Sequence, residues 1–330
     1  MNKSLKIFIT VSILVNISFY FNLILYRNSI LDFVHSWKLI ISCGQVSFKL
    51  IGDLEIPPLP DVSNVMEYVH RENLHVQKGG RFTPRICNSS IVPRSSTAIL
   101  VPFRDREEHL SVFLRHMHPL LTRQRLEYKI YVIVQEGNNP FNRGKLLNIG
   151  FVEAMNEKNW SCIIFHDVDY LPLNDENMYT CWDNPREMVA AGSVWNYVYG
   201  APYKNFFGAV SSIKPHQFRE VNGFYNDYYG WGAEDDDLSR RIQFHHMKID
   251  ILDQKTGSRI GRYKMMDHEN QKKSPKRFEL LMKTKENMRK NGLNNLKYQI
   301  TAIRHEPLYM NITVNVFYNE STVNKNKDNQ

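Results

Sequence analysis

The 330-residue sequence lacks several common signatures, and each absence removes a chemistry. Its four cysteines, Cys43, Cys87, Cys162 and Cys181, include no C-x-x-C pair, so a structural zinc site lacks its usual ligand spacing. No G-x-x-x-x-G-K-S/T loop occurs, which excludes a P-loop kinase or ATPase. Neither G-x-S-x-G nor H-E-x-x-H is found, so serine-hydrolase and zincin readings have no support. Acids are in the minority: 34 Asp and Glu face 42 Lys and Arg, a formal net charge of +8. Such a surplus suits nucleic acid, an anionic membrane or a phosphorylated ligand. Much of it falls in residues 264–290 without any zinc-finger or RNP pattern, so a solvated basic face is favoured over nucleic-acid binding.

Charge is also missing from Ile7 to Tyr26, a run of about the length that spans a bilayer as a helix. Lys3 and Lys6 precede it and favour a cytoplasmic N-terminus. The run is longer than the apolar core of a signal peptide and has no clear small-residue cleavage site. The sequence therefore reads as a cytoplasmic tail (1–6), a signal anchor (7–26), a short stem (27–42) and a lumenal remainder. Sequons at Asn88, Asn159, Asn311 and Asn319 fit that route. An even cysteine count there allows two disulfides, in any of three connectivities. The polar stretch 319–330 reads as a disordered tail.

From Ser96 the pattern is regular. Thr97–Phe103 is an apolar buried strand, and Asp105 with Glu108 offers an N-cap to a helix over Arg106–Gln124. A strand over Tyr128–Gln135, a helix over Phe141–Glu157 and a strand over Cys162–Pro172 follow. This alternation predicts a mostly parallel sheet, whose ligands gather beyond the carboxyl ends of its strands. Polar clusters lie at those ends: Phe103 to Arg106, Phe141 to Arg143, and Asp167 to Asp169.

The densest chemistry is in Gly223–Ile242, where Trp231 between two glycines precedes four acids, Glu234 to Asp237, and a helix over Leu238–Met247. Acids favour a helix start, but a cap needs only one. An aromatic surface beside clustered carboxylates suits a sugar, with stacking on the ring and hydrogen bonds to the hydroxyls. Asp167 and Asp169 can hold a divalent cation, and Met265 and His268 would add ligands that suit manganese better than calcium. Arg104, Arg106 and Arg143 can bind phosphate oxygens, and Phe103 and Phe141 can flank a base. The polar, basic stretch 266–285 is long for a structureless connection and reads as a lid.

The segments FRDR, FNRGKLLNIGF, FHDVDYLPLNDENMY, YGWGAEDDD, MDHENQKKSPKRF and GLNNLKY, in that order and spacing, resemble the β-1,4-galactosyltransferases of the animal Golgi, a family of inverting enzymes. The similarity runs from about Cys43 to Phe317. It implies an α/β GT-A fold, the Rossmann-like mixed sheet with flanking helices of nucleotide-diphospho-sugar transferases. That domain would occupy 43–318, preceded by one N-terminal transmembrane helix in a type II Golgi membrane protein. The implied reaction is manganese-dependent transfer of galactose from UDP-galactose to the 4-hydroxyl of terminal N-acetylglucosamine on glycoprotein or glycolipid glycans. The resemblance places Pro102, Phe103, Arg104, Arg106, Phe141, Asn142, Arg143, Val168, Asp169, Trp231 and His268 at the donor, with Trp231 closing over it. It makes Asp169, Met265 and His268 the Mn2+ ligands, and Asp235 the catalytic base with Glu234 beside it. Tyr203, Phe206, Ala233, Glu234, Asp235 and Asp236 would face the acceptor sugar, and Arg277, Phe278 and Leu281 its N-acetyl group. The cysteines would pair Cys43–Cys87 and Cys162–Cys181.

Some positions depart from the family pattern. Ala233 and Ala209 stand where glycines are common, and Phe206 where vertebrate members resemble one another in having tyrosine. A smaller aliphatic residue there goes with N-acetylgalactosamine donors. Phenylalanine keeps the bulk and loses the hydroxyl, which leaves UDP-N-acetylgalactosamine as the alternative donor. An inactive carbohydrate-binding relative is the competing reading from another class, and the full set of acids and metal ligands argues against it. The expected partners are a UDP-sugar, a glycan ending in N-acetylglucosamine and the Golgi membrane, with no nucleic acid.

Overall fold

A computed structural model describes residues 43–44, 46–200, 203, 205–269 and 271–318. The expected cytoplasmic tail, anchor, stem and C-terminal tail, with the sequon at Asn319, lie outside the described residues. The chain divides into two compact units, Met1–Gln45 and Val46–Gln330, and the fold below is that of the second.

Helix α1 (Val65–Glu72) and strand β1 (Arg81–Phe82) lead into strand β2 (Ser96–Phe103), helix α2 (Glu107–Arg123) and strand β3 (Glu127–Gln135). Helix α3 (Arg143–Glu157) and strands β4 (Cys162–His166), β5 (Tyr170–Pro172), β6 (Arg186–Glu187), β7 (Ala191–Gly192) and β8 (Val210–Ile213) follow. Then come helices α4 (Pro215–Glu220), α5 (Glu234–Phe244) and α6 (Gln254–Ile260), and strand β9 (Arg262–Met265). Helices α7 (Arg277–Met282) and α8 (Thr284–Asn287) precede strands β10 (Gln299–His305) and β11 (Met310–Asn315).

The main sheet runs β10-β11-β3-β2-β4-β8-β6, with β1 added antiparallel to β3. Its centre, β11, β3, β2 and β4, is parallel. The flanks β10, β8 and β6 are antiparallel, so the sheet is mixed rather than mostly parallel. The apolar runs of β2 and β3 are continuous because both sheet faces are covered. Ile99, Val101 and Phe103 join Leu110, Phe113, Leu114 and Met117 of α2 in one core. Ala98 and Leu100 point the other way, to Leu146, Leu147 and Phe151 of α3.

Three expected boundaries shift. Helix α2 starts at Glu107 after Arg106, with no side-chain cap; Asp105 takes φ 52° and turns toward Arg104 instead. The strand expected over Cys162–Pro172 breaks at Asp167-Val168-Asp169. There the chain leaves the main sheet for a second one, in which β5 pairs antiparallel with β9 and Tyr170 faces Met265. Helix α5 spans Glu234–Phe244, so the four acids are its first turn rather than a loop before it. Their charge meets the free amides and the positive end of the helix dipole.

Cys162 and Cys181 are joined, closing a loop of sequence separation 19 around β5. Cys43 and Cys87 are also disulfide-bonded, and no described cysteine is free. A loop of this length stabilises the fold chiefly by restricting the unfolded chain, by about 3 kcal/mol. Replacing both Cys162 and Cys181 by serine should therefore lower the urea midpoint substantially; an unchanged midpoint would show the bridge to be energetically idle.

Candidate active site

A cavity of about 740 Å³ opens beyond the carboxyl ends of β2 and β4. Pro102, Arg104 and Arg106 reach it from the end of β2, and Phe141 and Arg143 from the start of α3. Arg104 donates to the carbonyls of Asn139 and Gly137 at 2.7 and 3.3 Å, and its guanidinium lies 5.4 Å from the Phe141 ring centre. Arginine and phenylalanine thus form one shelf. Phe103, 6% exposed, faces the core instead of the cavity. Asn142 is fully buried and also off the cavity surface. Its side chain accepts from the Lys145 amide and donates to the Asn226 carbonyl, capping α3 and aiming the next residue, Arg143.

Arg143 ties the expected clusters together. Its Nε donates to Asp167 Oδ1 at 2.6 Å, and its Nη1 lies 3.6 Å from Glu234 Oε1. Burial pushes the Asp167 carboxyl up to about 6, while Arg143 pulls it back. Asp169 is buried, with His268 Nε2 2.9 Å from its Oδ2 and Arg106 Nη1 3.8 Å from its Oδ1. His268 Nδ1 is 2.8 Å from the Glu269 carbonyl, which only accepts, so that nitrogen carries the proton. The other nitrogen, Nε2, therefore faces a carboxylate oxygen. Two acceptors held so close need a proton or a cation between them, and a backbone-anchored imidazole is usual for metal ligation. Val168 and Met265 border the same cavity. Among the described residues no cluster of three His, Cys, Asp or Glu side chains is placed to hold a metal; the Met265 thioether, on the cavity wall, is a further donor available to the pair. The donor set fits manganese in that limited form.

The acid cluster splits by role. Glu234, Asp235 and Asp236 line the cavity. Burial raises the Asp235 carboxyl to about 8, with Glu234 and Asp236 adding to the rise and Arg143 opposing it. The Tyr203 hydroxyl donates to Asp236 Oδ1 at 2.6 Å, and the Phe206 ring packs edge-on against Tyr203. Asp237 does not reach the cavity. It is buried against Arg241 Nε at 2.7 Å and accepts from Thr284 Oγ1 at 2.7 Å, while Arg241 donates to the carbonyls of Gly223 and Asn291. The fourth acid is thus a structural staple between α5 and the chain around α8. Both alanines that replace common glycines are left-handed: Ala233 at φ 74° and Ala209 at φ 51°. Each holds a conformation that suits glycine, at about 1 kcal/mol or more.

Trp231 is 57% exposed at the cavity mouth. Its amide donates to the Lys272 carbonyl at 3.0 Å and its carbonyl accepts from the Ser274 amide at 3.0 Å. Gly230, at φ 86°, permits this approach: a Cβ there would sit 2.9 Å from the Lys272 oxygen. Arg277 and Phe278 line the same mouth. Leu281 does not; it is buried with Tyr228 and Ala233 behind it. The stretch read as a lid is bridged to Trp231 at Lys273 and is helical over Arg277–Met282. Tyr170, Gln271 and Lys273 also border the cavity; they lie inside segments that carry the resemblance, but no site role was assigned to them.

A mixed sheet that delivers arginines, paired acids and an exposed tryptophan to one sugar-sized cavity defines a glycosyltransferase of GT-A type. Residues 43–182 match the family described as the N-terminal region of glycosyl transferase group 7, and residues 186–269 match the N-terminal domain of galactosyltransferase. The chain is 42% identical over 280 residues to human beta-1,4-galactosyltransferase 3, covering 83% of this chain and 68% of that protein. It is 43% identical over 274 residues to human beta-1,4-galactosyltransferase 2, covering 81% and 70%. A mutant Drosophila beta-1,4-galactosyltransferase 7, solved with manganese, UDP-Gal and xylobiose, matches with a TM-score of 0.59 at 28% identity, over 69% of this chain and 97% of that one. The chain belongs to the beta-1,4-galactosyltransferase family, whose members are hexosyltransferases.

The buried Asp237–Arg241 pair yields a prediction about the fold. Asp237→Ala would leave a buried guanidinium without its carboxylate, a loss of about 3–5 kcal/mol. Chemical denaturation should show that drop; a variant as stable as the parent would show that the staple carries no weight.

Proposed function

We propose that the protein transfers galactose from UDP-galactose to the 4-hydroxyl of a terminal N-acetylglucosamine, in a single inverting displacement. The observation that carries this reading is one cavity shared by the three arginines, the Asp169–His268 pair and the carboxylates Glu234 to Asp236. Arg104, Arg106 and Arg143 would bind diphosphate oxygens, with Phe141 beside the base. Asp169 and His268, with Met265 alongside, would hold a manganese ion that neutralises the leaving diphosphate. Trp231 would cover the sugar, moving together with Lys272 to Ser274 because they are hydrogen-bonded.

The acceptor would enter on the side of Tyr203, Phe206, Arg277 and Phe278. Asp235 would take its proton as the hydroxyl attacks the anomeric carbon. A base is most useful with a pKa near the working pH, and crowding by Glu234 and Asp236 in a buried site moves Asp235 into that region. Only the deprotonated form can act, so activity should fall as pH drops through that value. The bulk of Phe206 supports galactose over the N-acetylated donor. The apolar run Ile7–Tyr26 and the Cys162–Cys181 bridge support a single-pass Golgi enzyme, anchored at 7–26 with its catalytic domain in the lumen.

Single substitutions separate the proposed roles. Asp235→Asn should lower kcat by about 10²-fold or more while leaving UDP and manganese binding intact. Asp169→Asn and His268→Ala should each weaken manganese in a calorimetric titration made without acceptor. Turnover of Asp235→Asn within a few-fold of the parent would remove the base assignment, and unaltered metal titrations would remove the ligand assignment.

A further inference from the structure

Glu187 closes the short edge strand β6 and is 1% exposed. A carboxyl group so placed must satisfy its oxygens inside the protein. It does so through backbone amides: Oε1 accepts from Val189 N–H and Oε2 from Gly208 N–H, each at 2.9 Å. It does not line the cavity, and no motif marked it in the sequence.

Its reach to the chemistry runs through Gly208. A Cβ at Gly208 would lie 2.6 Å from Asp235 Oδ2 and 2.7 Å from the Phe206 ring. The carboxylate read above as the base therefore rests against the Cα of the residue whose amide Glu187 grips. Phe206, two residues earlier, is part of the cavity wall. Displacing Gly208 by even a fraction of an ångström would move that wall and the seat of Asp235 together.

We propose that Glu187 is a positioning residue for Asp235, acting as a clamp on the Gly208 amide rather than as a charge. Arg143, Asp235, Tyr170, Arg186 and Tyr263 are ionisable groups that feel it. Burial holds its carboxyl well above the ordinary range, against the pull of the two amides, and Asp235 pushes it further up. The inference rests on the assignment of Asp235 as base, which Asp235→Asn tests separately: retained turnover there condemns the base and not the clamp.

The clamp itself is tested by steady-state kinetics with UDP-galactose and N-acetylglucosamine, per folded enzyme and across pH. Glu187→Gln keeps the volume but replaces one accepting oxygen with an NH2 group that cannot accept, so one amide loses its partner. We expect kcat to fall about tenfold, the size of a small misplacement of a catalytic group. KM for UDP-galactose and the pH midpoint of kcat/KM should stay unchanged, because Glu187 lies off the cavity surface and its proposed role is the grip on the Gly208 amide. Gly208→Ala, which puts a methyl group against Asp235, should lower kcat from the other side. The double variant should lose less than the product of the two effects. A kcat for Glu187→Gln within about twofold of the parent, or a loss confined to KM, overturns the proposal. So does a shifted pH midpoint, which would make Glu187 a charge that tunes Asp235. If Glu187→Gln fails to fold, Gly208→Ala decides: lowered kcat with unchanged donor KM supports the clamp, and unchanged kcat overturns it.

Discussion

One buried guanidinium, that of Arg143, holds the cavity together. It faces Asp167 from the end of β4 and Glu234 from the start of α5, two acids brought together only by the tertiary fold. Burial works against its charge, but Asp167, Glu234 and Asp235 hold it above the ordinary arginine value. The Asn142 cap of α3 fixes where it points. Burial raises the carboxyls of Asp167 and Asp235, and Arg143 offsets that rise only in part. The same imbalance leaves the cavity receptive to a divalent cation and to a group that delivers a proton.

The backbone around this cavity is irregular where the side chains converge. Ala209, Gly230, Gly232 and Ala233 all have positive φ, and Asp105 turns the same way beside Arg104. The regular elements beneath are rigid and fully packed, with β2 and β3 buried on both faces. The strained turns are thus carried on a well-packed sheet, which is how a site keeps its geometry.

Much of this was legible from residues alone. The strands β2 and β3 and the helix α3 follow from long apolar runs at the right periods, because burial on both faces leaves no polar interruption. The break at Asp167-Val168-Asp169 was not, since the pairing of Tyr170 with Met265 that draws the chain aside is remote in sequence. The start of α5 was placed too late because an acidic first turn reads like a loop. Its N-cap, Ala233, is a residue without a capping side chain. Asp237 was counted in the acid cluster without a site role; its i,i+4 partner Arg241 was visible, but the carbonyls and hydroxyl that bury the pair were not. Phe103 and Leu281 carried the right residue types and face away from the cavity, a matter of strand and helix phase. Glu187 carried no signal, because its importance lies in a backbone amide of a residue far along the chain.

The account depends on Asp235 being a carboxyl group crowded into protonating near neutral pH. Its ionisation can be followed by carbon-13 NMR of aspartate carboxyls in the protein without donor or metal, with Asp235→Asn identifying the resonance. The structure predicts a midpoint of about 8. A midpoint near the free-aspartate value of about 4 would contradict it, because neither burial nor the charges of Glu234 and Asp236 would then be acting on this group.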